Sequence, residues 1–296
     1  PELGVEIGHQ CMLEIAFSRA VSFDDAQTNA FRVSDFFSFC FGFNAEIDRM
    51  SFSFEEGTKA DCLTPLVKGR APRKILAHRM VLPFGVIDSD LHAMMGAWLA
   101  EGEDLLAPSS LLISLLTKKW LLPADLKFVA STQMLEALCR VGADLRSMGE
   151  DDFVVFRDAV MAALDGIEDG RIARMAKERI RPGNGKGQRR LLAEFVEGHR
   201  AAAEYVFGDP EAFISRHVYL RNGVTHRSGE ADTDVVDLVW HTEGVLLLAY
   251  CAIGELLGLP AVTMTQRLED SGFKSHAVHE CRKMYSRNAS EPDAPA

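Results

Sequence analysis

Apolar residues recur at helical spacing along most of the chain and at strand spacing only near its start. Cys11, Leu13, Ile15 and Phe17 alternate with Gln10, Met12, Glu14 and Ala16; Met50, Phe52 and Phe54 alternate again, and so do Leu76, His78, Met80 and Leu82. These are strand periods. Between the first two, Ser22 and Asp25 have the spacing of a capping box. A helix is expected from there to about Phe41, with Ala30, Val33, Phe37 and Phe41 on one side and Phe31, Phe36 and Phe39 widening that side into a core-forming face. From Ser89 the period turns helical, with Asp90 in the first turn and Leu91, Met94, Met95, Trp98 and Leu99 as the apolar stripe. Pro108-Ser109 predicts the next helix start, Leu111, Leu112, Leu115, Leu116 and Trp120 its stripe, Lys118-Lys119 its dipole-matched end and Pro123 its stop. Leu126-Lys127-Phe128-Val129 reads as a short extended link, and the domain boundary falls near residue 130.

Beyond it the pattern is almost wholly helical. Helices are expected over about Thr132–Arg146, Asp152–Leu164, Ile167–Ile180 and Arg190–Phe207. Glu136 sits among the apolar positions of the first, either turned inward or at a boundary facing water. Asp209-Pro210 is a helix start, because the carboxylate can cap and the proline loses no bond in the first turn. Phe213, Ile214 and Val218 follow, and Asn222-Gly223 reads as the stop, since both residues tolerate the left-handed C-cap conformation. Asp232 is the expected cap of a long last core helix through Val235, Val239 and Val245 to Leu257, ended by Gly258 and Pro260, with a shorter pattern after it. The predicted architecture is mainly α: a smaller α+β segment over 1–130, a helical domain over 131–287 and a disordered tail over 288–296.

Composition narrows the function. The chain has 296 residues, 47% of them hydrophobic, enough for a full core. The longest apolar run, Val245–Ile253, is short of a membrane span, so no membrane partner is expected. Six scattered cysteines without paired spacing read as reduced core thiols of a cytoplasmic protein. The first residue is Pro, as expected of a chain cut from something longer or processed. A net charge of −11 excludes a protein that coats nucleic acid with its whole surface. Any RNA contact must be local, and Arg171–Arg190 carries eight basic residues against one acid, Glu178, around a Pro182–Gly187 loop. Arg181, Lys186, Arg189 and Arg190 are its candidate phosphate contacts; the alternative is a solvated loop. No His, Cys, Asp or Glu cluster has metal-ligand spacing, His276 and His279 have no partners, and no Walker or Rossmann fingerprint is present. Neither metal nor cofactor is expected.

The stretch with chemistry in it is Tyr219-Leu220-Arg221-Asn222-Gly223-Val224-Thr225-His226-Arg227. Arginine offers a permanently charged planar fork to phosphate oxygens, and histidine moves protons near neutral pH. Arg73 to His78 has the same spacing, but inside a strand-like run; only Arg221–His226 lies between two helical patterns, with Asn after the Arg. In that setting it resembles the signature of the HEPN superfamily: Arg, a polar residue, several others, His. Within the superfamily the chain looks most like the Apea-like HEPN proteins of bacterial phage defence. The resemblance implies an antiparallel helical bundle at the C-terminal side and, upstream, the end of an Apea-like sensor or regulatory region. It implies a metal-independent endoribonuclease acting on RNA, tRNA among the candidates, in abortive infection released by a phage-derived trigger. Arg221 and His226 would be catalytic, with Asn222 and Arg227 supporting, in a homodimer that unites two Arg–His pairs. The near-continuous apolar surface of Val235–Leu257 fits such a dimer core. The alternative is a non-catalytic HEPN module that binds a nucleotide or a partner.

Overall fold

A computed structural model describes residues 15, 21–45, 47, 50–53, 59–62, 79–87, 90–100, 103–117, 122–167, 169–180, 184–226 and 234–288. Apart from Ile15, the predicted strand at 10–17 lies outside them, as do Arg73–His78 and the tail beyond Asn288, while Asn288 itself ends the last helix.

The first helix, α1, spans Phe23–Phe41 as predicted: Ser22 Oγ accepts from the Asp25 amide, and Gly42 closes it at φ 74°. A side chain at 42 would be strained by that φ and would also meet Val81 Cγ2 at 2.9 Å. β1 (Met50–Ser53) and β2 (Lys59–Cys62) form a two-stranded antiparallel ladder pairing Met50 with Cys62. The described part of the third predicted strand is not one; Leu82 instead donates from its amide to the Cys40 carbonyl.

Every longer regular element that follows among the described residues is helical: α2 (Phe84–Ile87), α3 (Leu91–Ala100), α4 (Glu103–Thr117), α5 (Ala124–Leu138), α6 (Glu150–Asp165), α7 (Gly170–Ile180), α8 (Gln188–Gly198), α9 (Arg200–Phe207), α10 (Pro210–His226), α11 (Val235–Leu256), α12 (Ala261–Ser271) and α13 (Ser275–Asn288). Four boundaries depart from the sequence reading. Pro108 does not start α4 but lies inside it, past the first turn, where it forgoes one backbone bond that the rest of the helix outlasts. Leu126–Val129 is helix within α5, which runs through residue 130 and ends at Leu138 rather than Arg146. The predicted helix Arg190–Phe207 is two helices broken at His199, whose imidazole Nδ1 lies 2.9 Å from Glu255 Oε2. The Asn222-Gly223 stop is overridden, and α10 continues to His226. Glycine in a helix costs only about 1 kcal/mol, and Asn222 Oδ1 accepts from the Arg221 guanidinium instead of capping.

The centre of the molecule is α11, capped not by the expected Asp232, which lies outside the described residues, but by Asp234, whose side chain accepts from the Val236 amide. Every residue from His241 to Gly254 is buried, against α4, α5, α9, α12 and α13. This corrects the reading of its apolar surface as a dimer core: helices of the same chain cover it. The helix is long and apolar enough to cross a membrane by length and composition, yet 78% of that stretch is buried inside the fold. Cys40, Cys139, Cys251 and Cys281 are buried free thiols, as the sequence suggests, and burial pushes the Cys139, Cys251 and Cys281 thiols up to about 12.

The packing around α11 leaves little room. A Cβ on Gly244 would run into the Phe207 ring and stand 3.0 Å from Cys281 Sγ. The Phe207 ring is itself stacked on Phe213 with centroids 4.0 Å apart, so it cannot give way. Gly244→Ala should therefore lower stability by about 1–3 kcal/mol, read from the denaturant midpoint. An unchanged midpoint would contradict this close fit.

Candidate active site

Arg221 sits on the last turns of α10, with its side chain about one-third exposed. Its Nε donates to Glu136 Oε1 on α5 at 3.3 Å, and Nη1 lies 3.4 Å from Asn222 Oδ1. The same Glu136 oxygen accepts from the Gln188 side chain at the start of α8. Glu136 is thus turned to the site, tying α5, α8 and α10 together and fixing the arginine fork in direction. An oriented guanidinium loses less freedom on meeting a phosphate than a loose one.

His226 is the last residue of α10, not a residue beyond a helix break. The side chains of Thr225 and His226, and Arg227 as a whole, lie outside the described residues. On one continuous helix, positions five apart differ by about 140° around the axis and about 7.5 Å along it. Arg221 therefore shares its side of α10 with His217, one turn earlier, whereas position 226 shares a side with Tyr219 and Asn222. Both of those residues are exposed, Tyr219 to 55%, and the Arg216 guanidinium lies over the Tyr219 ring at 5.6 Å.

Of the proposed phosphate contacts, Arg181 lies outside the described residues. Lys186 and Arg190 both pair with Glu194, at 2.6 and 3.1 Å, and Arg189 donates to Ser215 Oγ at 3.2 Å. One carboxylate thus offsets part of the positive charge here, and the Arg189 bond fastens the segment to α10.

Sequence reasoning overlooked a buried polar chain behind Arg221. His217 Nδ1 and His241 Nε2 share a hydrogen bond of 3.0 Å, and His241 Nδ1 is 2.6 Å from the Tyr285 hydroxyl. Phe128 and Phe213 wall both imidazoles. Burial, and then the charge of Arg221, pushes the His217 imidazole down to about 4. Burial, then His217 and Arg216, holds His241 well below the ordinary imidazole range. The available signal was small: His217 and Arg221 share i,i+4 spacing, while His241 and Tyr285 are distant in sequence.

These two histidines predict a pH dependence. The folded state holds both neutral, while the unfolded chain protonates them near pH 6.5. Below that pH the unfolded state binds more protons, so stability falls as pH falls. The loss should begin near pH 6.5 and, for His217, level off below about 4. Between pH 6.5 and 5.5 it should amount to about 1 kcal/mol per histidine. Denaturant titrations at pH 7.5, 6.5 and 5.5 check this. The His217→Gln/His241→Gln double variant should show a flatter slope, and an equal slope would contradict the assignment.

Glu243 of α11 holds a second buried charge cluster, with Lys127 Nζ at 2.5 Å and Lys274 Nζ at 2.8 Å. Burial alone would raise its carboxyl, but Lys274 and Lys127 outweigh it and hold it below the ordinary value. Among the described residues no group of three or more His, Cys, Asp and Glu is arranged to hold a metal ion.

Comparison with known proteins gives one finding. Residues 2–98 match the family described as ApeA N-terminal domain 1. No curated protein and no solved structure matches the chain. The match covers the third of the chain that contains α1, β1, β2, α2 and most of α3, and none of α10 or α11. The likeness is therefore to that one domain, over about a third of the chain.

Proposed function

We propose that this protein is an antiphage effector of HEPN type that cleaves RNA without a metal, using Arg221 and His226 from two copies of the chain. The observation that carries the reading is the C-terminal end of α10, where an arginine aimed by Glu136 lies within two turns of His226. In-line attack by a ribose 2′-OH needs a base on one side of the phosphorus and an acid on the other, and a cation on the phosphate oxygens. One chain supplies a single arginine and a single histidine of the motif, on different sides of one helix. A two-fold axis beside α10 would supply two of each to one phosphate. Asn222 and the exposed Tyr219 ring lie on the side of position 226, where an unpaired base could stack. Basic residues 181–190 would meet the RNA backbone alongside.

A non-catalytic HEPN module that binds a nucleotide or partner is the second reading, favoured by the angular separation of Arg221 and His226. Expression in bacteria separates the two. The chain should arrest growth and fragment RNA, tRNA first among the candidates, and His226→Ala should abolish both effects while folding normally. Arrest that persists in His226→Ala with intact RNA would leave the binding reading standing.

A further inference from the structure

The solvent-facing positions of α10 fall on one line. Glu211, Ser215, Tyr219 and Asn222 are exposed, and position 226 continues the series at the same helical step. A stripe that only meets water is polar, and every residue of this one is polar except for the ring of Tyr219, more than half exposed. A single exposed aromatic is ordinary; the way this one is held is not. The Arg216 guanidinium lies over its ring, 5.6 Å from the centroid, and reaches Asp237 of α11 at 3.7 Å. Arg216 Nε is buried and, among the described residues, has no hydrogen-bond partner. An arginine turned outward would hydrate that N–H, so this pose forgoes some stability. What the pose achieves is a tyrosine ring braced on one side.

The rest of the line leaves the ring usable. One turn after Tyr219 stands Gly223, which has no side chain to lay against the ring and stays helical despite its poor propensity. One turn before it, Ser215 Oγ accepts from Arg189, which is itself exposed. A cation, a braced ring and position 226 thus share one side of α10. The ring and position 226 are separated by about 10 Å along the axis and only about 20° around it. Arg221 is on the opposite side, about 160° from Tyr219, so the ring accompanies the histidine of its own chain.

A ring with a free face and a cation beside it is the chemistry of a single-strand subsite: one nucleobase stacks and the adjoining phosphate is neutralised. A base inside a duplex has its faces covered by its neighbours and must be unstacked before it can reach a lone ring. We infer that Tyr219, braced by Arg216, is a specificity-determining residue that stacks one unpaired RNA base beside the His226 end of α10, with Arg189 on the neighbouring phosphate. It selects an unpaired position rather than a sequence, because every base has a π-face and a ring reads no base edge. The inference rests on the proposed function for its ligand, RNA, but its test reads binding and needs no cleavage.

The probe is a short, labelled 2′-O-methyl RNA strand, which has no free 2′-OH to attack. Three forms are titrated with the full chain and followed by anisotropy: fully abasic, abasic except for one base, and the complete strand free or annealed to its complement. The one-base strand should bind about tenfold tighter than the abasic strand. With Tyr219→Ala the two should bind alike, because base and ring contribute only together; Tyr219→Phe should keep the gain. The complete single strand should bind about tenfold or more tighter than the duplex. Tyr219→Ala should melt like the unaltered chain. No gain from the base, an equal gain in Tyr219→Ala, or a duplex bound as tightly as the single strand would each overturn the inference. So would displacement of the strand by an equal concentration of AMP, which would mark a site for free nucleotides. A Tyr219-dependent gain in a chain that leaves unmodified RNA intact would remove the ribonuclease and keep the subsite. Cleavage of RNA by a chain whose Tyr219→Ala variant keeps the gain would remove the subsite and keep the ribonuclease.

Discussion

Phe213→Ala should destabilise the protein by about 3–5 kcal/mol, a large share of the total stability of an ordinary domain. Phe213 is fully buried and stacks on Phe207 at 4.0 Å with the rings 10° from parallel. Its other neighbours are His217 at 5.7 Å, His241 at 5.6 Å and Tyr285 at 6.4 Å, measured between ring centroids. The ring therefore sits where α9, α10, α11 and α13 meet and forms one wall of the buried histidine chain. Removing it leaves a cavity among rigid rings that cannot collapse into it. It also lets water reach imidazoles that the fold keeps neutral. The denaturant midpoint should fall with little change in slope. A loss below about 1 kcal/mol would mean that the site relaxes freely, against the interlocked packing described above.

Arg221→Ala should lower kcat/KM for RNA by about two to three orders of magnitude, the effect of removing one preorganised donor from a developing anion. The guanidinium is aimed by Glu136, and Glu136 by Gln188, so the donor is placed before substrate arrives. Arg221→Lys should recover only part of the activity, because an ammonium keeps the charge but not the fork. Glu136→Gln should fall between, mainly through kcat, since it loosens the aim and keeps the cation. The side chain of Arg221 is partly exposed and its removal leaves Glu136 with Gln188, so unfolding midpoints should stay nearly unchanged. A variant that retains full cleavage would remove Arg221 from the chemistry.

Local signals in the sequence located α1 and α11 well. Ser22 and Asp25 announce the start of α1, and the run Val235–Leu257 followed by Gly258 and Pro260 bounds α11 closely. Those elements depend on caps and on an apolar period, which are written in neighbouring residues. Where the reading failed, distant packing overrode a local preference. Asn222-Gly223 is a good stop in isolation, but α10 continues past it. The extended reading of Leu126–Val129 failed because Phe128 packs on His217 and His241, partners some ninety and more residues away. The apolar abundance of α11 could not reveal from sequence whether its cover comes from the same chain or another. At the site, Arg221, Asn222 and the ambiguous Glu136 were visible in the sequence, whereas the Arg221–Glu136 pair was not, since its members lie 85 positions apart. His217 and His241 were hidden for the same reason.

The central claim, that Arg221 and His226 form a composite, metal-independent ribonuclease, is tested most directly by the ends of the RNA fragments. Purified chain should be incubated with total bacterial RNA in excess EDTA and the new termini analysed. Attack by the 2′-OH predicts a 2′,3′-cyclic phosphate on one fragment and a 5′-hydroxyl on the other, with no such ends from Arg221→Ala. Fragments bearing 5′-phosphate, or cleavage that stops in EDTA and returns with a divalent ion, would contradict it.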